Sequence, residues 1–234
     1  MVNHTAGQEQ DGMAASAHPP QPERNLALAY VPAARRGALE ALFAVDAALS
    51  DVVRTTTEPL IGQMRLTWWH DALIKLDSAS PPAHPVLEAI ARNLLPVGVG
   101  GSDVAAMVDG WDVLIEEAQL DEPALRRFGE GRGGTLFALA ATAMGGDPSP
   151  AIRAAGAGWA LGDLAAHLSS AAEAELARLV ARDQLRQGFA QPWPSTVRPL
   201  GMLAHFARMD LEGGSSAGSP KRLMRVVWHR LSGR

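Results

Sequence analysis

Residues 58–73 read EPLIGQMRLTWWHDAL, and this stretch decides the fold that we predict. A helix that begins near Pro59 would place Glu58 at its positive N-terminal end. Arg65 stands one turn before Trp69, close enough to stack over the ring or to bond a neighbouring helix. Large apolar residues recur at helical spacing along the stretch: Leu60, Ile61, Met64, Trp68 and Leu73. The pattern predicts a core helix with one broad apolar face and two large anchors.

The composition of the whole chain favours helices over sheets. The chain has 234 residues, enough for one domain or slightly more, with 47% apolar and only 5% aromatic residues. Alanine far outnumbers the β-branched valine and isoleucine, and alanine and leucine propagate helices. We therefore predict an all-α protein. A formal charge of −4 gives no reason to expect a nucleic-acid partner.

The chain contains no cysteine, which excludes disulfides, cysteine-ligated metals and thiol catalysis. This composition fits a reducing compartment, so we expect a cytoplasmic location, with peripheral attachment to a membrane as an open alternative. No apolar run reaches the roughly 20 residues that span a bilayer. The N-terminal residues lack the charged and apolar regions of a secretory signal.

The composition divides the chain into four parts. Residues 1–23 are rich in glycine, glutamine, alanine, serine and proline and are predicted to be a disordered tail. Residues 24–212 form the helical domain, and residues 213–220 are a Gly/Ser linker. Residues 221–234 are predicted to form a basic amphipathic C-terminal helix.

Two long helices are expected in the domain, one from Ala33 to Arg54 and an Ala-rich one from Ala151 to about Gln187. Asp46 falls on the apolar stripe of the first. A carboxylate there must find a partner or face a cavity, because unpaired burial is costly. We expect a salt bridge to an arginine from another helix.

Two pairs of polar residues lie one helical turn apart. Asp112 and Glu116 could bind a cation together or belong to a solvated acidic face. Asp163 and His167 could be an acid/base or ligand pair, or a pair with a structural role. The sequence leaves both alternatives open.

Four glycines interrupt the helical pattern at positions 129, 131, 133 and 134. Each costs about 1 kcal/mol relative to alanine in a helix. Such a cost indicates close backbone approach, to a neighbouring helix or to a ligand. The run is not a phosphate-binding P-loop, because the Lys-Ser/Thr ending is missing.

The C-terminal helix alternates basic and apolar residues. Its apolar residues share one face: Leu223, Met224, Val227, Trp228 and Leu231. Lys221, Arg222, Arg225 and Arg230 flank that face. The pattern is typical of a helix on an anionic membrane surface, or of a terminal helix that docks its apolar side on the domain.

Three stretches together resemble the squalene/phytoene synthase family, over roughly residues 26–210. They are PxxRRxALxALFA at residues 32–44, EPxxGxxRLxWWxDAL at residues 58–73, and FxxxxGG at residues 128–134, where the family commonly has tyrosine in place of phenylalanine. The resemblance implies an isoprenoid-synthase-like helical bundle with a central cavity. It also implies an activity, since catalytic members join two isoprenyl diphosphates head to head. They hold Mg²⁺ against the diphosphate with two Asp-x-x-x-Asp motifs on facing helices.

The first of these aspartate motifs is altered in this chain. Ser50 and Arg54 stand where the resemblance places the two aspartates, and Asp51 matches a second aspartate that often follows the first. An arginine at a metal-ligand position repels Mg²⁺, although it can still bind an anion through two parallel hydrogen bonds. We therefore expect no metal or other cofactor.

The second motif is altered too. His167 and Ala171 take the places of its aspartates, and Asp163 stands at the family's preceding asparagine. The arginine-tyrosine-leucine-proline-like segment that usually follows is absent. This degenerate pattern is similar to the non-catalytic branch of the family, the complex I assembly factor type.

The resemblance also assigns candidate site residues. No residue is assigned as catalytic with assurance, and the remnant positions are Ser50, Asp51, Arg54, Asp163 and His167. The candidates for substrate binding are Arg35, Arg36, Arg54, Arg65, Gly133 and Gly134.

The favoured hypothesis is a degenerate family member that binds an isoprenoid or lipid, or a protein partner during assembly, with a membrane surface as a further partner through residues 221–234. The alternative is an active Mg²⁺-dependent prenyltransferase of the phytoene or squalene synthase type, in which Asp46, Asp51, Asp163 and Glu or Asp residues elsewhere in the chain would converge within ~4–6 Å. A third is a helical interaction domain with a filled centre, without a cavity of the roughly 300 Å³ typical of ligand sites.

Overall fold

The computed structural model describes residues 22–213 and 218–234, and these residues form an all-α bundle without strands. Residues 1–21 of the predicted tail and 214–217 of the predicted linker lie outside the described residues. The helices are α1 (Pro22–Ala29), α2 (Ala33–Thr55), α3 (Pro59–Lys75), α4 (Pro85–Asn93), α5 (Gly101–Glu116), α6 (Glu122–Phe128), α7 (Thr135–Ala143), α8 (Pro150–Ala165), α9 (Ala171–Gly188), α10 (Arg198–Glu212) and α11 (Pro220–Ser232). The predicted fold class is confirmed. No helix in the described ranges is both long and apolar enough to cross a membrane.

Prolines set the beginnings of α2 and α3, as the sequence predicts. Pro32 precedes the first residue of α2, and Pro59 opens α3. Proline suits a helix start because its fixed φ matches the helix and its missing N–H has no partner to lose there. With 23 residues, α2 is the longest of the described helices.

Of the predicted apolar face of α3, Leu73 is buried, but the prediction is wrong for the other four residues. Leu60 and Met64 are 69% and 66% exposed, and Trp68 is half-exposed. The buried residues of α3 lie on another side: Gly62, Leu66, Trp69, Ala72 and Leu73. The reason is α5, which packs closely on that side, where Gly101 has no side chain to separate its backbone from the Leu73 carbonyl.

The glycine run forms a π-helical segment, residues 129–134, between α6 and α7. A Cβ on Gly131 would overlap the backbone of Gly110 in α5, and a Cβ on Gly133 would overlap the carbonyl of Gly156 in α8. The glycines therefore allow close approach to two neighbouring helices, which confirms the first of the two alternatives predicted. A π-helical turn inside a helix is often found at a functional site.

The single Ala-rich helix predicted from Ala151 to Gln187 is wrong, because two helices, α8 and α9, occupy this range. The chain turns at residues 166–170, and the Ser170 hydroxyl accepts a hydrogen bond from the Glu173 N–H at the start of α9. This N-cap satisfies a backbone donor that has no partner inside the helix. The two helices then pack side by side along their lengths.

The C-terminal helix α11 packs on α10, but not through its apolar side. Its buried residues are Arg222, Val226 and His229, while the five apolar residues of the predicted face are exposed. The prediction that α11 docks its apolar side on the domain is therefore wrong. The buried guanidinium of Arg222 determines the orientation, because it pairs with Glu23 of α1 and Asp210 of α10.

Candidate ligand-binding site

A cavity of about 790 Å³ lies in the centre of the bundle, between α2 and α8. This volume falls within the ~300–1,000 Å³ of typical ligand pockets. Side chains from α1, α5, α10 and the π-helical segment complete its wall, with an aromatic part formed by Trp111, Trp159 and Phe206. Four of the five remnant motif positions line the cavity together: Ser50, Arg54, Asp163 and His167.

Arg132 of the π-helical segment is the central polar group of the cavity wall. Its Nε and Nη2 donate to the two carboxylate oxygens of Asp46, at 2.9 and 3.0 Å. Its Nη1 donates to Oδ2 of Asp163 at 2.7 Å. The predicted arginine partner of Asp46 is thus confirmed, and the same guanidinium also joins α2 to α8.

The surroundings of Arg132 hold its charge in one place. The side chain is 7% exposed, and its guanidinium carbon lies 4.4 Å from the Trp111 ring centroid and 5.1 Å from that of Trp159. Rings at this distance attract a cation through their electron-rich faces. Burial alone would lower the pKa of Arg132, but the charges and hydrogen bonds of Asp46 and Asp163 outweigh it and raise the pKa. Arg132 is therefore a permanent internal cation.

The glycines explain how an arginine reaches this position. The backbone around Arg132 lies against Gly110 on one side and, through Gly133, against Gly156 on the other. Side chains at these glycines would push the π-helical segment away from α5 and α8. The close packing brings the guanidinium within hydrogen-bonding distance of both carboxylates.

The polar groups at the mouth of the cavity are more exposed. Arg54, 68% exposed, pairs with Asp51 one turn earlier on α2. His167 is 74% exposed, and its Nδ1 lies 2.8 Å from the backbone oxygen of Asp163. Because the Asp163 carboxylate binds Arg132 and lies 4.0 Å from the imidazole, this geometry favours a structural pair over an acid/base pair.

These donors do not fit Mg²⁺, the metal that the resemblance implies for catalytic members. Magnesium needs carboxylate oxygens near octahedral positions. Both oxygens of Asp46 and one of Asp163 accept from Arg132, and Asp51 is paired with Arg54. Within residues 22–213 and 218–234, no three histidine, aspartate or glutamate side chains form a group that could hold a metal ion.

The second acidic pair of the sequence, Asp112 and Glu116, lies on α5 away from the cavity lining. Glu116 is exposed and Asp112 is half-buried. Burial, and then the charge of Glu116, raise the pKa of Asp112. Whether this pair ever binds a cation stays open.

Several predicted substrate-binding residues are not part of the cavity lining: Arg35, Arg36, Arg65, Gly133 and Gly134. Arg36 donates to the carbonyls of Leu28 and Val31, and so fixes the end of α1. Arg65 donates to the hydroxyls of Thr55 and Thr56 at the end of α2, a bond to the neighbouring helix rather than to a ring. A role of these residues in substrate binding stays a prediction.

Sequence reasoning missed two arginines that the cavity contains. Arg132 stands inside the glycine run, whose interruption of the helix was the available signal. Arg24 of α1 lines the cavity with its guanidinium 5.1 Å from the Phe43 ring centroid. Burial lowers the pKa of Arg24, while the charge of Asp46 opposes that shift. No local pattern marks Arg24, because its place depends on how α1 packs.

Comparison with known proteins agrees with this architecture. A sequence profile described as squalene/phytoene synthase matches residues 19–187, which is more than half of the chain and contains α2, α3, Arg132 and both altered motifs. Neither the curated proteins nor the solved structures gave a significant match. The match is long enough to establish the family: this chain belongs to the squalene/phytoene synthase family.

Proposed function

We propose that this protein is a catalytically degenerate member of its family, which binds an isoprenoid or another lipid in the central cavity and acts like an assembly factor. The observation that carries the proposal is the guanidinium of Arg132 between Asp46 and Asp163. A cation that belongs to the protein occupies the space between the carboxylates of the two facing helices. In this proposal, the protein keeps the central cavity of its family but has an arginine, in place of a metal ion, between the carboxylates.

The cost of releasing these carboxylates supports the loss of metal-dependent chemistry. A divalent ion could bind Asp46 only after Arg132 had left it, and separating a buried ion pair typically costs about 3–5 kcal/mol. The third acid of the alternative hypothesis, Asp51, is paired with Arg54. The three aspartates named in the alternative hypothesis are thus each bound to an arginine.

The shape and lining of the cavity support an apolar ligand. Its volume suits a small-molecule site, which argues against the helical interaction domain with a filled centre. Trp111, Trp159 and Phe206 offer aromatic surface to an isoprenoid chain. Asp46, Arg132 and Asp163 on the wall already form ion pairs with one another, and an uncharged ligand does not need to displace them.

The exposed side of α3 supports a protein partner. Leu60, Ile61, Met64 and Trp68 are between 46% and 69% exposed on one helix. Grouped apolar side chains on a surface commonly mark an interaction site. This surface would suit an assembly role, in agreement with the resemblance to the complex I assembly factor type.

Catalysis is tested by incubating the full chain with farnesyl or geranylgeranyl diphosphate and Mg²⁺, then extracting and separating the lipids. We expect no C30 or C40 product above the level of a heat-inactivated sample. Time-dependent formation of either product would overturn the proposal in favour of the active prenyltransferase.

Ligand binding is tested with farnesol, an uncharged isoprenoid, followed through tryptophan fluorescence. Gly162 lines the cavity and has room for a Cβ, with the nearest atom 3.8 Å away, so Gly162→Leu should add an apolar side chain to the cavity wall and reduce the space for a ligand. We expect at least a tenfold loss of farnesol affinity in Gly162→Leu. The matched control is Ala106→Leu, at an exposed helical position of α5. Equal affinities in both variants, or no binding by the native chain, would contradict the proposal.

A further inference from the structure

The helix α11 lies outside residues 19–187, the part of the chain that matches the family, and it contributes no residue to the lining of the central cavity. Its apolar side chains nevertheless form the most exposed hydrophobic group on one helix. Met224 and Leu231 are each 73% exposed, and Trp228 is 58% exposed. Leu223 and Val227 are exposed by nearly half.

Several contacts fix α11 in this orientation. Arg222, 1% exposed, is bound by Glu23 and Asp210, while Val226 and His229 are buried against the bundle. At the other end, Arg198 of α10 donates to the carbonyls of Arg230 and Leu231, at 3.0 and 2.9 Å. The helix therefore cannot rotate to bury its apolar face without separating buried charges.

The geometry of the helix places the apolar face opposite its buried side, where this face also lines a groove with α10. At 3.6 residues per turn, Leu223, Val227 and Leu231 lie along one line, and Met224 and Trp228 continue beside it. The buried residues Arg222, Val226 and His229 lie on the opposite side. The apolar face is thus free to enter a planar surface while α11 stays docked.

The charges that α11 places around this face are basic. Pro220–Ser232 contains no acidic residue. Lys221 and Arg225 border the apolar face on one side, and Arg230 borders it on the other. A groove of about 850 Å³ between α10 and α11 also contains Arg208 and Glu212, which form an ion pair with each other.

We propose that α11 attaches this protein to an anionic lipid bilayer, with its axis in the plane of the headgroups and its apolar residues among the first carbons of the acyl chains. An apolar face bordered by lysine and arginine, with tryptophan at the edge, has the properties of an interfacial helix. Anionic headgroups complement the basic borders. A second copy of α11 does not, because two such faces would bring like charges together.

The test is flotation of the full chain with vesicles, in a gradient at low salt. Vesicles of phosphatidylcholine with one third phosphatidylglycerol should carry the protein upward, and pure phosphatidylcholine vesicles should carry at least tenfold less. The double variant Met224→Ser, Leu231→Ser should lose at least tenfold in binding to the anionic vesicles. Because all four substituted side chains are highly exposed, the matched control is Leu60→Ser, Met64→Ser on α3, which should bind like the native chain.

Three results would overturn the inference: no flotation with anionic vesicles, equal binding to both kinds of vesicle, or equal loss in the α3 control. A concentration-dependent dimer that disappears in the α11 variant, without vesicle binding, would instead identify a second copy as the occupant. Farnesol binding by the α11 variant should be unchanged, so failure here is distinguishable from failure of the proposed function.

Discussion

The central cavity and the outer side of α11 differ in what they bury: charged groups are buried in the cavity, whereas apolar side chains are exposed on α11. In the cavity, Arg132 is buried with two carboxylates and two tryptophan rings as partners. On α11, apolar residues lie in solvent and basic residues border them. The charge of Arg132 is thus compensated within the protein. The apolar residues on the outer side of α11 remain exposed, and the lipid partner proposed above would cover them.

The largest effect should come from removing the internal cation. Arg132→Met leaves Asp46 buried without a partner, and the loss of one member of a buried ion pair costs about 3–5 kcal/mol. We expect that decrease in the free energy of unfolding, measured by urea denaturation at pH 7. If the unpaired charge of Asp46 causes this decrease, the double variant Arg132→Met, Asp46→Asn should regain part of the stability, because asparagine carries no charge.

The control for this variant is Arg54→Met at the mouth of the cavity. Its ion pair with Asp51 is exposed, and exposed pairs contribute about 0–1 kcal/mol. An equal loss of stability in both arginine variants would show that Arg132 is not the central charge that we describe.

The next effect concerns the glycines that place Arg132. Gly133→Ala puts a Cβ into the carbonyl of Gly156, and overpacking of this kind costs about 1–3 kcal/mol. Gly162→Ala is the matched control, because the nearest atoms to its Cβ are at ordinary contact distance. Alanine should be neutral or stabilising there by up to ~1 kcal/mol, since it is the better helix former. In thermal unfolding, the melting temperature should fall for Gly133→Ala and should stay equal or rise for Gly162→Ala. A fall of the melting temperature in both variants would contradict the prediction.

A third prediction concerns pH and the contact between α10 and α11. Burial, with a smaller contribution from the nearby Arg225, lowers the pKa of His205 to about 2 and that of His229 to about 4, from an ordinary value of 6.5. The unfolded chain then binds more protons than the folded chain below pH 6.5. The free energy of unfolding therefore has its full value above pH 6.5. As the pH decreases below 6.5, it should fall by about 1.4 kcal/mol per pH unit for each histidine.

The measurement is urea denaturation between pH 7 and pH 5, where most carboxylates remain ionised. His205→Phe should make the dependence shallower, because phenylalanine can stack on Phe189 as the imidazole does, at 3.9 Å between ring centroids, without binding a proton. A variant with the same slope as the native chain would show that His205 does not titrate in this way.

The smallest expected change in the free energy of unfolding comes from alanine substitutions at two adjacent valines of α11. Val226 is 1% exposed and faces the bundle, while Val227 is 48% exposed and faces outward. Val226→Ala removes two buried methyl groups at about 0.8 kcal/mol each, and Val227→Ala should stay within about 0.5 kcal/mol of the native chain. The reverse order in urea denaturation would mean that α11 docks through its other side.

The sequence predicts best where one residue type has a strong local effect. Pro32 and Pro59 give the starts of α2 and α3, and the apolar stripe of α2 marks Asp46 as a buried acid. The glycine run predicts close packing. The break between α8 and α9 was missed, although Ser170 with Glu173 three residues later is a capping signal that could have found it.

What the sequence could not supply are contacts between distant residues. Asp46 and Arg132 are 86 positions apart, so the acid predicts the type of its partner but not the partner itself. On α3 the apolar residues exceed one face, and only the packing of α5 decides that Trp69 is buried and Trp68 half-exposed. The outward face of α11 depends in the same way on the ion pairs of Arg222.

The measurement that tests the central claim most directly is the Mg²⁺ dependence of ligand affinity. Farnesol and farnesyl diphosphate are titrated into the full chain by calorimetry, each with Mg²⁺ and with a chelator. If Arg132 occupies the place of the metal, farnesol should bind with the same affinity in both conditions, and Mg²⁺ should not strengthen diphosphate binding. Diphosphate binding that appears only with Mg²⁺ and exceeds that of farnesol would contradict the claim.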